Sequence, residues 1–165
     1  MQKIFGGKSS KKALLLGAGF VVKPTLTHLS QNGVEVTVAC RTLENAQKIC
    51  KDVKNARPIS LNVEDEAALD TEVSKVDVAI SLIPYTYHAL VIKSAIRKKV
   101  NVVTTSYISP AMQELESQIN EAGITVMNEI GLDPGIDHLY AIKTIAEVHK
   151  AGGKINSFLS YCGGL

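Results

Sequence analysis

Lys12-Ala13-Leu14-Leu15-Leu16 runs into Gly17-Ala18-Gly19 and then into Phe20-Val21-Val22. A short apolar strand, a glycine pair and an amphipathic helix follow one another without a break. Gly17 and Gly19 carry no Cβ, so the backbone here can approach a phosphate closely. The helix behind them points its free N–H groups and its positive dipole end at the same place. This is the chemistry of a dinucleotide pyrophosphate site. A lone G-x-G carries little weight, but a strand–helix junction near the chain start is the context that the motif needs. The third glycine position of the fingerprint is occupied by Val22. That glycine serves helix–strand packing, so its loss is expected to shift the helix slightly outward and to leave the cradle intact.

Strands and helices alternate along the rest of the chain. Strands are predicted at 12–17, 34–39, 58–61, 76–83, 101–105, 124–127 and 154–161. Val22, Leu26 and Leu29 form a helical stripe, with Pro24 tolerable in the first turn and Gly33 ending the helix. Thr42 is placed to cap a helix whose inner face is Ala46, Ile49 and Val53, and Leu69 and Val73 mark a weaker one. His88, Val91, Ile92, Ala95 and Ile96 give another. Ser109-Pro110 reads as a helix start, and Gly123 closes that helix. A last helix ends at Gly152-Gly153. The continuous apolar run from Val76 to Ile83 fits a parallel strand buried on both faces. Repeated β–α units of this length predict an α/β Rossmann-type fold, a doubly wound parallel sheet with helices on both faces and strand order 3-2-1-4-5-6.

The chain has 165 residues and is 45% hydrophobic, enough for one domain with a core. A net charge of +2 does not imply a nucleic-acid partner. No apolar run reaches the ~18 residues of a membrane span, so no membrane partner is expected. Cys40, Cys50 and Cys162 are an odd set without a C-x-x-C pair. They are expected to be reduced thiols in the cytoplasm, and zinc is not expected. Residues 1–11 read as a flexible tail, 12–153 as the dinucleotide-binding domain, and 154–165 as the first strand of a second, truncated domain.

The end of the second strand selects the cofactor. NAD-binding versions place a carboxylate there, on the ribose hydroxyls. This chain has Val38-Ala39-Cys40-Arg41-Thr42 instead. Arg41 alone is a surface charge. After the second strand, it can pair with a 2′-phosphate and stack on adenine, and Thr42 adds a hydroxyl. NADP is therefore the expected cofactor. Ligands of this fold lie beyond the carboxyl ends of the strands. Ser81 to Tyr85, Thr104 to Tyr107 and Asn128 to His138 fall there. Asp133-Pro134-Gly135 is also ordinary turn chemistry, and His138 reads as structural. His28, His88 and His149 sit on helices and are given no role. Tyr85 and Tyr87 could be packing residues. A buried strand cysteine such as Cys162 is ordinarily a small hydrophobe.

Taken together, these segments resemble the glutamate-forming, NADP-dependent saccharopine dehydrogenases (saccharopine reductases) of the fungal aminoadipate route to lysine. The most specific matches are Gly131-Leu132-Asp133-Pro134-Gly135-Ile136-Asp137-His138 and Tyr161-Cys162-Gly163-Gly164-Leu165. The resemblance covers essentially all of residues 12–165. It implies an oxidoreductase that uses NADPH to reduce the imine of 2-aminoadipate 6-semialdehyde and glutamate to saccharopine. It implies Gly17, Gly19, Phe20 and Val21 on the pyrophosphate, Arg41 and Thr42 on the 2′-phosphate, and Ile83, Pro84 and Leu132 along the cofactor. Ser106 and Tyr107 would touch saccharopine, Asp133 would border both nicotinamide and substrate, and Cys162 would belong to the same active site. Positioning or proton handling by Asp133 and Cys162 follows from the same likeness, as does a homodimer of the full-length protein. Saccharopine has three carboxylates, whereas the arginines here are Arg41, Arg57 and Arg97. The chain alone is therefore expected to be inactive. The alternatives are a non-catalytic NADP-binding module or sensor, and a related imine reductase making polyamine precursors. The Asn128–His138 and terminal motifs weigh against the latter.

Overall fold

The computed structural model describes residues 10–163. Most of the expected tail therefore lies outside the described residues, as do Gly164 and Leu165. Six strands form one parallel sheet: β1 (Lys12–Leu16), β2 (Glu35–Cys40), β3 (Ala56–Ser60), β4 (Val78–Ser81), β5 (Asn101–Thr104) and β6 (Val126–Met127). Their order is β3-β2-β1-β4-β5-β6, as the β–α alternation predicts. The helices are α1 (Val22–Gln31), α2 (Leu43–Cys50), α3 (Glu66–Val73), α4 (His88–Lys98), α5 (Pro110–Gln113), α6 (Glu116–Ala122) and α7 (Ile136–Lys150).

β1 is the centre of the fold because neighbours on both sides leave its side chains no route to water. Ala13 to Leu16 are at most 1% exposed. The two-residue period of a strand divides them between two cores. Leu14 and Leu16 pack with Leu69, Val91, Ile92 and Met112 on the α3–α4 face. Leu15 packs with Val22, Leu26, Val38 and Ala46 on the α1–α2 face. Val22 is fully buried, so the residue in the third glycine position serves as a core side chain of α1.

α3 and α4 are joined at the surface by an ion cluster. Asp70 accepts from Arg97 Nε and Nη2 at 2.9 and 2.8 Å and from Ser94 Oγ at 2.6 Å. The Arg97 hydrogen bonds hold the Asp70 carboxyl far below its ordinary 3.8. A depressed carboxyl stabilises the fold above its unfolded pKa, and that contribution is lost as pH falls through the folded value. Asp70→Asn is expected to cost about 1 kcal/mol at neutral pH, since Arg97 is partly solvated. It should also flatten the fall in stability below pH ~4. Urea midpoints at pH 7 and pH 3 check this. A variant whose deficit is the same at both would rule the assignment out.

The structure corrects several expectations. The strand expected at 76–83 is only Val78–Ser81, flanked by single bonds from Asp77 N to Lys12 O and from Leu82 N to Leu16 O; at its C-terminal end β1 turns away at Gly17. The helix expected from Pro110 to Gly123 is divided at Glu114–Leu115, where Leu115 N bonds Met112 O and Leu115 turns into the core. Thr42 and Ser109 occupy N-cap positions without a capping side-chain bond. Asp65 does cap, accepting from Ala68 N at 3.0 Å. Lys154–Tyr161 is not a strand. A strand exists only where a neighbour satisfies its backbone groups, and this segment pairs with none among the described residues. Cys162 follows it and is exposed, so it is not a buried strand cysteine.

Candidate functional site

Clefts open at the carboxyl edge of the sheet, and two of them are lined by residues singled out from the sequence. The first has about 290 Å³ and is lined by Gly17–Gly19, Ala39–Arg41, Leu61–Glu64, Leu82–Pro84 and Tyr87. Gly17 has φ +125°, and a Cβ there would stand 2.7 Å from Leu82 O. Its lack of a side chain is thus required by the turn itself. Gly19 has nothing within 4 Å of the corresponding position, so the space beside it is open to a ligand. Backbone N–H groups from Ala18 to Phe20 find no protein acceptor among the described residues, while Val22 N bonds Gly19 O. An open cradle with free donors before a helix start suits a pyrophosphate. Phe20 and Val21 are 94% and 59% exposed, so what they offer the cradle is backbone.

Arg41 forms a wall of this cleft. Its carbonyl accepts from Ser60 Oγ at 2.9 Å, which fixes the backbone. Its guanidinium has no ion-pair partner among the described residues, unlike Arg57 and Arg97. Thr42 lies just beyond the lining, its carbonyl accepting from Cys40 Sγ. Ile83 and Pro84 are also among the residues that line this cleft. The Leu61–Glu64 segment was not anticipated. The signal was present in the strand order, since β3 lies beside β2 and the loop following it must overhang the same cleft.

The second cleft is lined by Tyr85, Thr105 to Ser109, Asp133 and Pro134. Tyr107 Oη donates to Asp133 Oδ1 at 2.6 Å, which raises the Tyr107 pKa above its ordinary value. The Cys162 thiol is also raised, first by loss of solvation and then by the Asp133 carboxylate beside it. Three residues from distant parts of the chain are thus brought together. Leu132 is 65% exposed and stands at the start of this turn. The turn is closed by two backbone bonds, Ile136 N to Gly131 O and Asp137 N to Leu132 O, and by the Asp137 side chain, whose Oδ1 accepts from Gly135 N. Glu129 has φ +62° and accepts from Ile108 N at 3.2 Å, tying this turn to the loop that carries Ser106 and Tyr107. His88, given no role from sequence, is fully buried and joins Ser81 to Ser106. A histidine near the start of a helical stripe gives no warning of this, because the partners lie on two other strand ends.

A doubly wound sheet with a glycine cradle on its first crossover and a free arginine after its second strand defines a dinucleotide-binding domain of the dehydrogenase class. Comparison with known proteins narrows the class. Residues 13–127 match the family described as saccharopine dehydrogenase NADP binding domain, and residues 131–165 match the saccharopine dehydrogenase C-terminal domain. The chain belongs to the saccharopine dehydrogenase family. It is 68% identical over 95% of its length to saccharopine dehydrogenase [NADP(+), L-glutamate-forming] of Pyricularia oryzae, covering 35% of that protein. It is 45% identical over 95% of its length to the mitochondrial alpha-aminoadipic semialdehyde synthase of Mus musculus, covering 17% of it. The solved apo saccharopine dehydrogenase (L-Glu forming) of Saccharomyces cerevisiae superposes with a TM-score of 0.82 at 62% identity, over 90% of this chain and 33% of that one. The chain spans about a third of the length of the fungal relatives that it matches.

Proposed function

We propose that this chain is the cofactor-binding portion of an NADP-dependent, glutamate-forming saccharopine dehydrogenase. The reaction joins 2-aminoadipate 6-semialdehyde and glutamate as an imine, and NADPH supplies the hydride that reduces it to saccharopine. The observation that carries the reading is the free Arg41 guanidinium on a cleft whose other end is the open Gly19 cradle. Backbone groups of Gly17 to Val21 hold the pyrophosphate. Arg41, with Thr42 beside it, takes the 2′-phosphate. Ile83, Pro84 and Leu132 pack along the cofactor.

Ser106 and Tyr107 bind saccharopine, and Asp133 orients Tyr107 and borders the nicotinamide. Cys162 and Asp133 take part in positioning and proton handling. Both groups next to Asp133 are raised in pKa, so at neutral pH they stay protonated and act as hydrogen-bond donors. Arg57 and Arg97 are committed to Glu72 and Asp70 and are not available to a substrate carboxylate.

Fluorescence titration with NADPH and NADH in parallel tests the cofactor assignment. Arg41→Ala is expected to weaken NADPH binding by roughly 10- to 100-fold while leaving NADH within about twofold, as befits loss of a charge-assisted phosphate contact. Unchanged NADPH affinity would remove the 2′-phosphate role.

A further inference from the structure

Ser81 ends β4 with its side chain fully buried. Its Oγ lies 2.8 Å from His88 Nδ1, and His88 Nε2 lies 2.9 Å from Ser106 Oγ. Among the described residues, Ser81 Oγ has no other hydrogen-bond partner, and no buried side-chain polar atom is left without one. A fully buried hydroxyl proton without an acceptor is costly. The Ser81 proton therefore goes to Nδ1, which must be bare. A neutral imidazole carries one N–H, so that proton sits on Nε2 and is donated to Ser106 Oγ. Burial lowers the His88 pKa and keeps the ring neutral. Ser106 is then an acceptor toward His88, and its own proton is left for the cleft that it lines with Tyr107 and Asp133.

We propose that His88 is a positioning residue, its tautomer set by Ser81, that fixes Ser106 as a hydroxyl donor to a carboxylate oxygen of the amino-acid substrate. The substrate half of this proposal rests on the reading of the second cleft given above. The opposite tautomer would turn the Ser106 proton inward and present lone pairs to the cleft, which a carboxylate would not accept. The relay reaches the cleft from behind, through a core position of α4, and it couples the end of β4 to the loop after β5.

Long-range proton–nitrogen NMR of the histidine-labelled chain, with the His88 signals assigned from His88→Gln, tests the relay. The expected result is a neutral ring at pH 7 with its proton on Nε2. A proton on Nδ1, or a charged ring, would overturn the proposal. The second arm is a saccharopine titration of the NADPH-loaded chain. His88→Phe is expected to weaken saccharopine roughly two- to tenfold, the range of one lost hydrogen bond. His88→Gln, whose amide N–H can still reach Ser106, should recover most of that loss. In a Ser106→Ala background His88→Phe should cost nothing further, because the effect passes through Ser106. Additive losses would sink the idea, as would an equal weakening of NADPH. If His88→Phe does not fold, Ser81→Ala replaces it: without the Ser81 donor on Nδ1 the tautomer is no longer fixed, so saccharopine should bind severalfold more weakly with NADPH unchanged, and an unchanged saccharopine affinity would overturn the proposal. A parent chain that binds NADPH but not saccharopine would remove the substrate reading, while the tautomer would still decide whether Ser106 faces the cleft as a donor.

Discussion

Gly17→Ala is expected to lower stability by about 3 kcal/mol and to push NADPH binding beyond the reach of a micromolar titration. Two costs combine at this position. The backbone is at φ +125°, and an added Cβ would lie 2.7 Å from Leu82 O, a backbone atom that cannot rotate away. Either the β1–α1 turn opens or β4 shifts where it enters the cleft, and the cradle is lost in both cases. At ~2–4 °C per kcal/mol for a domain of this size, the melting midpoint should fall by roughly 6–12 °C. Gly19→Ala is the control. Its Cβ meets nothing within 4 Å, so the melting midpoint should be unchanged while NADPH binds more weakly. If Gly17→Ala melts with the parent and binds NADPH normally, the turn geometry described here is wrong.

The second large effect is expected at Gly135. With φ +145°, a Cβ there would stand 2.2 Å from Gly131 O, 2.7 Å from Gly131 N and 2.8 Å from Glu129 O. These are backbone atoms of the same tight turn. Gly135→Ala should therefore unfold the turn locally, at a cost of about 2–4 kcal/mol, and release Asp133 from Tyr107. The Tyr107 hydroxyl owes its raised pKa first to Asp133. Ultraviolet titration of the tyrosines should show one phenol moving down toward its ordinary 10.0 in the variant. Asp133→Asn should produce the same downward movement without the loss of stability. A Gly135→Ala protein with an unaltered phenol titration would show that Asp133 does not depend on this turn.

Much of the lining of the first cleft was legible along the chain because its parts are local. Gly17, Gly19 and the helix start are neighbours in sequence, and Arg41 stands directly after β2. The sheet order was legible for a similar reason: apolar strands alternating with helical stripes leave a parallel sheet few ways to be wound. The Lys154–Tyr161 segment was misread because alternation of residue types does not supply the neighbouring strand that its backbone requires. The Asp65 cap of α3 went unnoticed beside a weak apolar stripe.

The sequence by itself determined the family, the sheet and the glycine turn after β1, since each rests on contacts among residues close along the chain or on a period set by backbone geometry. Only the tertiary structure decided which distant side chains meet. Tyr107 reaches Asp133, and the Asp133 carboxylate shifts Cys162. His88 lies between Ser81 and Ser106, on a helix whose pattern marks it as one more core position. Such meetings depend on how far each strand runs before it turns. That is set by sheet pairing between residues tens of positions apart, a quantity that no local pattern of residues carries.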